Sequence, residues 1–588
     1  MKSFKDIYKN AENKITGIAA APGIVIGQVY LFTKEKLDIS NAPITDVDEA
    51  IENFREALLH SKKELNKIFG FAREKMDEVR AAIFEAQVMI LDDPILIQNI
   101  EDRISKEKIQ PEYIVANEIS KYQELMIISQ EPYMKERAHD IEDIKNRIIR
   151  NLQKKRWQSK IDTKLIVISE FLTPADTLLF SRRDALAFVT DHGGLTSHTA
   201  IISRSLNIPA VVGTHNATEL IKDGDTIIVD GFHGYIIPNP TKDQINFFTE
   251  KQKKLQEIQK GLEELRDQPA VTLDGKEIKL EANVDVTGEI DVVLTSNASG
   301  IGLYRSEQIL NELGFFPEED EQANIYSKLA SRMYPKVITI RAFDVGGDKF
   351  SISDYKEPNP FLGLRGIRFL LENESLFRTQ IRAVLRASEN KNVRFMIPMI
   401  STLDEVWRTN DIIQECKSDL KREKIKFDNQ IKVGIMIEVP SAAVMAKEFS
   451  DEVDFFSIGT NDLIQYLMAV DRGNDLVSDL YQEFNPAVIR TIHHTVEAAK
   501  QGKIPISICG EMAADTLAIP LLVGLGMDSL SMSPATLLYA KRIIRGFEFK
   551  KAKALAEECL KCKTEIDIQN KVKKFFDDNN ITRTRNII

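Results

Sequence analysis

Hydrophobic and polar positions alternate in different ways along the first 240 residues. Residues 16–33, TGIAAAPGIVIGQVYLFT, combine glycine with β-branched residues and predict strand, turn and strand. A capping pattern at Thr45 and Asp46 then opens a helix with Val47, Ile51 and Phe54 on one face. Helical spacing continues to about residue 156. Strand signals return in KLIVISE, LAFVT, IPAVVG and DTIIVDG. We therefore expect one discontinuous β/α domain, residues 1–36 and 157–240, with an all-helical insertion at residues 37–156.

The second half of the chain follows another pattern. Residues 241–267 are a polar run at helical spacing, which predicts a linker helix with solvated charges. From residue 268 onward, strand and helix signals alternate. The eight candidate strands are EIKLEANVD, GIGLYR, VITIRAFD, VRFMIPM, KVGIMIEVP, VDFFSIG, IPISICG and DSLSMSP. Eight strands with helical stretches between most of them predict a (β/α)₈ TIM-type barrel over residues 268–588.

Composition narrows the class of protein. The chain has 588 residues, 43% hydrophobic and 28% charged, which is typical of a globular protein too long for a single core. The net charge of −11 argues against nucleic-acid binding. Four cysteines indicate a reducing compartment, and no uncharged apolar stretch could insert into a membrane or act as a secretory signal. We expect a cytoplasmic multidomain α/β protein.

The predicted strands of the barrel end in charged side chains, where the active sites of such barrels lie. The second, third, fifth and sixth strands end in Arg305, Arg341, Glu438 and the pair Asn461-Asp462. Two further arginines follow strands: Arg365 in PFLGLRGIR and Arg472 in AVDRGN. The seventh strand ends in Cys509, which suits either a buried apolar role or proton transfer.

This set of side chains predicts a small anionic substrate. Guanidinium groups match phosphate and carboxylate oxygens with two parallel hydrogen bonds. Two carboxylates together with substrate oxygens are how proteins commonly hold Mg²⁺. The sequence thus indicates a ligand with a phosphate and a carboxylate, bound with Mg²⁺ as cofactor.

One histidine outside the barrel has a distinctive setting. In GGLTSHTAIISRSLNIPAVVG, His198 follows a Gly193-Gly194 turn and two capping-type residues. This places it at a helix N-terminus, where free N–H groups favour an anion. A capped helix end with a partly exposed histidine and a phosphorylated histidine both fit these residues, whereas a metal site would need more ligands than nearby His192.

Long motifs in fixed order carry a family resemblance across nearly the whole chain. They are TGIAAAPGIVIG, ERAHDIEDI, GGLTSHTAIISRSLNIPAVVGT, GLYRSE, RAFDVGGDK, NPFLGLRGIR, GIMIEVP, FFSIGTNDLIQY, AVDRGN and ICGEMAAD. The sequence resembles the enzyme I family of the bacterial phosphotransferase system. The resemblance implies a swivelling phosphohistidine domain, a helical insertion that binds the phosphocarrier protein HPr, and a barrel that binds phosphoenolpyruvate and forms a homodimer.

The resemblance also implies roles for individual residues. His198 corresponds to the phosphorylated histidine, Thr177 to a threonine that contacts it, and Cys509 to the acid that protonates the enolate to give pyruvate. Glu438 and Asp462 correspond to Mg²⁺ ligands. The positions that match phosphoenolpyruvate-binding residues are Arg305, Arg341, Arg365, Asn461, Asp462 and Arg472.

Several positions depart from the family pattern. Leu195 stands where arginine is frequent, and His192 is an additional histidine. Ser306 replaces a threonine and Gln308 an aromatic residue, and the C-terminal tail has no match. None of these changes removes a phosphate, metal or proton-transfer group. The alternatives are an enzyme like pyruvate phosphate dikinase or phosphoenolpyruvate synthase, and a non-catalytic regulatory paralogue.

Overall fold

The structure is a computed structural model of the 588-residue chain. It describes residues 14–33, 37, 39–75, 87–127, 132–155, 164–194, 197–285, 289–313, 315–346, 359–472, 474, 477 and 480–581. Within these ranges it leaves out the side chains of residues 71–75, 122, 124–127, 132–140 and 311–313. Leu195, the side chains of ERAHD at residues 136–140 and the end of the C-terminal tail lie outside the description. The chain forms two compact units, residues 1–256 and 257–588.

The first unit contains an eight-stranded sheet. Its strands are β1 (Ile15–Thr16), β2 (Ile18–Ala21), β3 (Ile24–Leu31), β4 (Ile166–Ser169), β5 (Ala187–Thr190), β6 (Ala210–Val212), β7 (Thr226–Asp230) and β8 (Tyr235–Pro238). The spatial order is β1-β8-β7-β3-β4-β5-β6-β2. β3, β4, β5 and β6 run parallel to their neighbours in that series, and the other pairs are antiparallel.

Helices occupy the sequence between β3 and β4 and the connections of this sheet. They are α1 (Val47–Lys75), α2 (Pro94–Glu107), α3 (Pro111–Ile127), α4 (Pro132–Leu152), α5 (Pro174–Ser181), α6 (His198–Ser205), α7 (Ala217–Leu220) and α8 (Lys242–Glu264). The first four share a core of buried residues such as Phe54, Ile114 and Ile144. Asp46 caps α1 by accepting a hydrogen bond from the amide of Glu49 at 3.0 Å.

The second unit contains a closed barrel of eight parallel strands, as the sequence predicts. They are β9 (Lys279–Val284), β10 (Gly300–Arg305), β11 (Val337–Arg341), β12 (Val393–Ile397), β13 (Lys432–Ile437), β14 (Phe456–Ile458), β15 (Ile506–Ile508) and β16 (Ser529–Met532). β16 closes the barrel by pairing with β9. The predicted multidomain α/β class with a C-terminal (β/α)₈ barrel is confirmed.

Helices surround the barrel and bury its outer face. They are α9 (Ile290–Thr295), α10 (Gln308–Leu313), α11 (Glu319–Met333), α12 (Ile367–Glu372), α13 (Glu374–Ala387), α14 (Leu403–Arg422), α15 (Pro440–Val444), α16 (Ala446–Phe449), α17 (Thr460–Met468), α18 (Pro486–Gly502), α19 (Glu511–Ala514), α20 (Ile519–Leu525), α21 (Leu537–Ile544), α22 (Phe549–Cys559) and α23 (Glu565–Asp578). Alternate strand residues such as Ile338 and Ile340 join this core. The residues that alternate with them, Thr339 and Arg341, face the barrel interior.

Candidate active site

The C-terminal ends of the barrel strands carry the side chains that the sequence singles out. They are Arg305 at the end of β10, Arg341 at the end of β11, Glu438 directly after β13, Asn461 and Asp462 in the first turn of α17, and Cys509 directly after β15. In a parallel barrel all strand ends meet at one mouth. The electrostatic influence of Arg341, Glu438 and Arg305 on Cys509 shows that these four groups are near one another.

Arg365 is fully engaged by protein groups. Its Nε and Nη2 donate to Asp344 at 2.9 Å each, and its Nη1 and Nη2 donate to Asp462 at 2.9 and 3.1 Å. Nη1 also donates to the hydroxyl of Tyr466 at 3.4 Å. These bonds use all of the N–H donors that a guanidinium has. Arg365 therefore holds Asp462 in place without a donor to spare.

Arg341 has a buried nitrogen without a hydrogen-bond partner among the described residues. The side chain is 4% exposed, lies 3.3 Å from Asp344 and is paired with Glu307. Its Nη1 approaches the sulfur of Met436 at 3.8 Å. Its Nε is buried and has no hydrogen-bond partner among the described residues. A buried, unpaired N–H of a cation is a ready donor for an anionic ligand.

The remaining sequence-predicted groups are more exposed. Arg305 donates to both carboxylate oxygens of Asp285, at 2.8 and 3.0 Å. The side-chain oxygen of Asn461 accepts from the amide of Glu511 at 2.7 Å, which fixes the start of α17 against α19. Arg472 is exposed, and its guanidinium has no hydrogen-bond partner in the described part of the chain. The structure therefore does not join Arg472 to the network around Arg341.

Glu438 fits a cation site. It is 1% exposed, and one oxygen accepts from the amide of Met399 at 2.7 Å. Burial, followed by the negative charges of Asp462 and Asp344, raises the pKa of Glu438 to about 8. A positive ion beside Glu438 and Asp462 would relieve this repulsion. Gly459 leaves room for the second oxygen of Glu438, because a Cβ at that position would lie only 2.9 Å from this oxygen.

A metal ion here would need further oxygen ligands. Among the described residues no group of three or more His, Cys, Asp or Glu side chains is arranged to hold a metal ion. Two carboxylates alone are the protein share that Mg²⁺ takes when substrate oxygens and waters complete its octahedron. The donor set at the barrel mouth is thus suited to a cation that arrives with an oxygen-rich substrate.

Cys509 lies at the inner edge of the mouth. It packs with Leu303, Met396, Met436 and Phe455 inside the barrel and is 3% exposed. Burial raises the pKa of its thiol to about 11, so the group is protonated at neutral pH. Its sulfur accepts from the hydroxyl of Ser457 at 3.3 Å and lies 3.6 Å from the carbonyl oxygen of Ile458. A protonated thiol in this position can act as an acid.

His198 is the first residue of α6 in the first unit. Ser197 caps this helix: its hydroxyl accepts from the amide of Ala200 at 3.4 Å and donates to the carbonyl of Gly194 at 2.8 Å. Gly193 has a φ of 114°, and a Cβ there would come within 3.1 Å of the Ser197 hydroxyl. The glycine thus permits the turn that delivers His198, half-buried, to the helix N-terminus.

The neighbourhood of His198 is held by buried polar groups. Thr177 is buried in α5, and its hydroxyl donates to the carbonyl of Thr173 at 2.9 Å. Asp191 anchors the end of β5, because its carboxylate accepts from the hydroxyl of Thr214 at 2.7 Å and from the amide of Ala217 at 2.6 Å. Thr218 donates to the same carboxylate. Exposed His192 follows directly.

Two of the departures from the family pattern lie in the second unit. Ser306 is buried, and its hydroxyl donates to the carbonyl of Arg341 at 2.7 Å and accepts from Gln380 at 2.9 Å. The replacement of threonine therefore keeps a hydroxyl that supports the end of β11. Gln308 is half-buried at the start of α10.

Sequence reasoning missed the residues that hold the catalytic candidates. These are Asn283, Asp285, Glu307, Asp344, Ser457 and Tyr466. Asp344 follows Arg341 by three residues and Glu307 follows Arg305 by two, so an acid just beyond each strand-end arginine was an available signal. The partnership of Arg365 with Asp462, 97 residues apart, had no local signal.

No helix in the described ranges is long and apolar enough to cross a membrane. All four cysteines are free and buried. Burial raises the pKa of Cys559 to about 12, so the CLKC sequence at 559–562 carries unreactive thiols at neutral pH.

Comparison with known proteins extends over almost the whole chain. Family models match residues 16–137 as a PEP-utilising enzyme, N-terminal; residues 161–234 as a PEP-utilising enzyme, mobile domain; and residues 259–549 as a PEP-utilising enzyme, PEP-binding domain. A phosphoenolpyruvate-protein phosphotransferase of Mycoplasma capricolum is 40% identical over 96% of this chain and 99% of its own. The protein of that name from Staphylococcus carnosus has the same identity and coverage.

One solved structure is similar to the first part of the chain. An NMR solution structure of Enzyme I (nEIt) is 40% identical and covers 41% of this chain and 99% of its own. Its TM-score of 0.36 is too low to support a structural argument.

Proposed function

The chain belongs to the phosphoenolpyruvate-protein phosphotransferase family, enzyme I of the bacterial phosphotransferase system, and it catalyses phosphoenolpyruvate-dependent phosphotransfer; we propose that the barrel mouth binds phosphoenolpyruvate and that His198 receives the phosphoryl group. One observation carries this assignment. The buried Arg341, with its unpaired Nε, lies near the acids Glu438 and Asp344 and the protonated thiol of Cys509.

The substrate contacts follow from the donors that remain available. Arg341 and the more exposed Arg305 and Arg472 bind the phosphate and carboxylate oxygens, with Asn461 at the start of α17. Arg365 acts on the substrate through Asp462, because its own donors are already engaged. This division predicts that Arg365 positions a carboxylate while the other arginines neutralise charge.

The family works with a divalent metal ion, and we propose Mg²⁺ bound by Glu438 and Asp462. When bound, the ion supplies positive charge to the phosphate and enolate oxygens. The side chains do the remaining work. Arg341 orients the substrate, Arg365 fixes Asp462, and the apolar lining around Cys509 excludes water from the site of protonation.

The chemical steps balance as one phosphoryl transfer and one proton transfer. The Nε2 lone pair of neutral His198 attacks phosphorus, and the P–O bond breaks with its electron pair left on the enolate oxygen. The enolate then takes the thiol proton of Cys509 at C3, which gives pyruvate and a thiolate. The N–H groups at the start of α6 help to hold the phosphoryl group on His198.

His198 and the barrel belong to different compact units. We propose that the domain that carries His198 swivels between the barrel mouth and the acceptor. We assign residues 1–36 and 157–240 to a swivelling phosphohistidine domain, residues 241–267 to the linker, and residues 268–588 to the phosphoenolpyruvate-binding domain. Residues 37–156 form the docking domain for the acceptor.

The proposed acceptor is a histidine of the phosphocarrier protein HPr. A candidate docking patch lies around the ion pair of Lys62 with Asp92. Leu59, Met89 and Ile95 are each three residues from a member of this pair and are 52%, 65% and 67% exposed. Large apolar side chains beside charges are suited to a transient protein interface. Ile95→Asp should weaken transfer to HPr while phosphorylation of His198 is retained.

Isotope exchange tests the barrel chemistry without an acceptor. With Mg²⁺, the protein should exchange carbon-labelled pyruvate into phosphoenolpyruvate, and addition of purified HPr should give phosphorylated HPr. Absence of carbon exchange would contradict the proposed site. Formation of phosphoenolpyruvate from ATP and pyruvate would support a dikinase instead.

We propose that the barrel unit forms a homodimer and that the protein acts in the cytoplasm. Leu362, Trp407 and Val444 are 65%, 46% and 70% exposed on this unit, which suits burial against a second copy. The four buried free thiols fit a reducing compartment. Val444→Glu should shift the full-length protein toward monomer in sedimentation velocity, and an unchanged dimer would exclude this face.

A further inference from the structure

The interior of the barrel is divided into an apolar and a polar side. Leu303, Met396, Met436 and Phe455 form a buried apolar cluster with Cys509. On the strands β14, β15, β16 and β9, the interior positions carry Ser457, Ser507, Ser529 and Glu281. Interiors of such barrels are normally filled by bulky branched side chains. A carboxylate and three hydroxyls on neighbouring strands therefore need a physical reason.

These polar residues form a row across the barrel. Ser457 is in register with Ser507, and Ser507 is in register with Ser529. Adjacent strands lie about 4.8 Å apart, so the three serines are close neighbours on one interior face. At one end the hydroxyl of Ser457 donates to the sulfur of Cys509 at 3.3 Å. At the other end the hydroxyl of Ser529 donates to Glu281 at 2.9 Å. The two ends of the row thus contact a thiol and a carboxylate, while the hydroxyl of Ser507 in the middle donates to the carbonyl of Phe456.

Glu281 is an unusual group to find inside a barrel. It is 7% exposed and has no ion-pair partner among the described residues. Gly302 makes room for it, because a Cβ there would lie 3.0 Å from its Oε2 and 2.4 Å from the hydroxyl of Ser531. A buried carboxylate without a cation is unfavourable unless hydrogen bonds satisfy its oxygens, and Ser529 supplies one of them. Its residual exposure gives it access to water.

Cys509 needs a source of protons after each net turnover. It gives its thiol proton to the enolate, and the thiolate that remains is buried, since the residue is only 3% exposed. A thiolate left among Leu303, Met396 and Phe455 cannot act as an acid again until it is reprotonated. Burial also raises the pKa of this thiol to about 11, which favours recovery of the proton.

We propose that the row of Ser529, Ser507 and Ser457 carries a proton from Glu281 to the thiolate of Cys509. This inference rests on the proposed function. In each relay the O–H bond of Ser457 breaks as the S–H bond of Cys509 forms, and each serine in turn receives a proton from the next. Glu281 takes a proton from water and passes it to Ser529. Ser507 now donates to the carbonyl of Phe456 at 3.2 Å and Ser529 donates to Glu281, so both hydroxyls turn toward the next serine during the relay.

Carbon and hydrogen exchange can be measured in the same sample. Full-length protein in D₂O is mixed with Mg²⁺, phosphoenolpyruvate and ¹³C-labelled pyruvate, and mass spectrometry counts carbon exchanges and deuterons gained by the pyruvate methyl group. Carbon exchange returns a pyruvate proton to Cys509 and needs no relay. With the relay intact, the thiol equilibrates with solvent, and nearly every exchange adds a deuteron.

In variants that break the relay, the number of deuterons gained should fall below the number of carbon exchanges. Ser507→Ala and Glu281→Gln should keep carbon exchange but gain about tenfold fewer deuterons per exchange, because the protein returns the same proton. Ser529→Ala should behave likewise and removes a single oxygen, so it serves if Glu281→Gln does not fold. The matched control is Thr339→Val, which removes another hydroxyl from the interior face of β11 and should leave the ratio unchanged.

The outcomes distinguish a failure of the proposed relay from a failure of the proposed function. Deuteron counts per exchange that equal those of the unaltered protein in all three variants would overturn the relay and show that solvent reaches Cys509 from the mouth. A parallel fall of both counts would also overturn it, because that result indicates a structural role. An unaltered protein without carbon exchange would overturn the proposed function itself.

Discussion

In the proposed mechanism, the barrel mouth and the turn before His198 prepare residues for phosphoryl transfer in two different ways. At the mouth, Arg341 and Arg365 are almost completely buried and are held by Glu307, Asp344 and Asp462. At the turn, half-buried His198 relies on a cap from Ser197 and a glycine with positive φ. One site assembles many charges from distant segments, whereas the other needs one backbone conformation.

The difference follows from the chemistry that we propose for each region. Phosphoenolpyruvate is a multiply charged substrate, and its transfer depends on positioning and charge stabilisation. Buried arginines meet that demand only when carboxylates offset their desolvation. A histidine that accepts and passes on a phosphoryl group must instead stay accessible to two partners. The barrel mouth is therefore built from buried ion pairs, whereas the turn depends on one helix cap and one glycine.

The largest expected effect comes from removing Arg341. Arg341→Ala should lower phosphoenolpyruvate–pyruvate exchange about 1000-fold, because it removes a buried donor aimed at the substrate. The matched control is Arg378→Ala, which breaks pairs with Glu374 and Glu415 on the surface and should leave exchange unchanged. Equal losses in both variants would show that the mouth is not distinct from a surface ion-pair network.

Asp344 tests whether the buried network holds the barrel as well as the substrate. It neutralises Arg341 and Arg365 and is fully buried. Asp344→Ala should lower the free energy of unfolding by about 3 kcal/mol, since it leaves buried guanidinium groups without a counter-ion. Chemical denaturation of the full chain, followed by circular dichroism, measures this loss. A change below about 0.5 kcal/mol, the size expected of a surface site, would contradict the network.

A smaller effect is expected at the turn. Asp191→Ala removes an acceptor from the hydroxyl of Thr214 and the amide of Ala217. The free energy of unfolding should fall by about 2 kcal/mol because these buried donors lose their partner. Phosphorylation of His198 should slow but persist. Complete loss of phosphorylation in a folded variant would show that the turn is as tightly organised as the mouth.

The last effect appears only at high pH. Because burial raises the pKa of Cys509 from 9.0 to about 11, the unfolded thiol ionises first as the pH rises. Below pH 9 the thiol is protonated in both states and adds nothing to the pH dependence. Between pH 9 and 11 the protein should lose up to about 2 kcal/mol relative to Cys509→Ser. Thermal unfolding of both proteins at pH 8 and 10.5 measures this difference, and parallel curves would contradict the shift.

The sequence predicted the architecture more fully than the site. Strand periodicity and helical spacing identified eight barrel strands and placed His198 at the start of a helix. The side chains at strand ends were visible because a parallel barrel gathers them at one mouth. The pairing of these side chains was not visible. Asp344 stands only three residues beyond Arg341, but nothing in the sequence shows that it also binds Arg365, or that Arg365 reaches Asp462 across 97 residues. Only the closed barrel brings such pairs together.

The central claim is that His198 receives the phosphoryl group of phosphoenolpyruvate at the barrel mouth. The most direct measurement mixes the full-length protein with Mg²⁺ and phosphate-labelled phosphoenolpyruvate, then maps the label by proteolysis. The account predicts acid-labile, alkali-stable phosphate on the peptide that contains His198, and none on the folded His198→Ala variant. Label on another residue, or label that persists in His198→Ala, would contradict it.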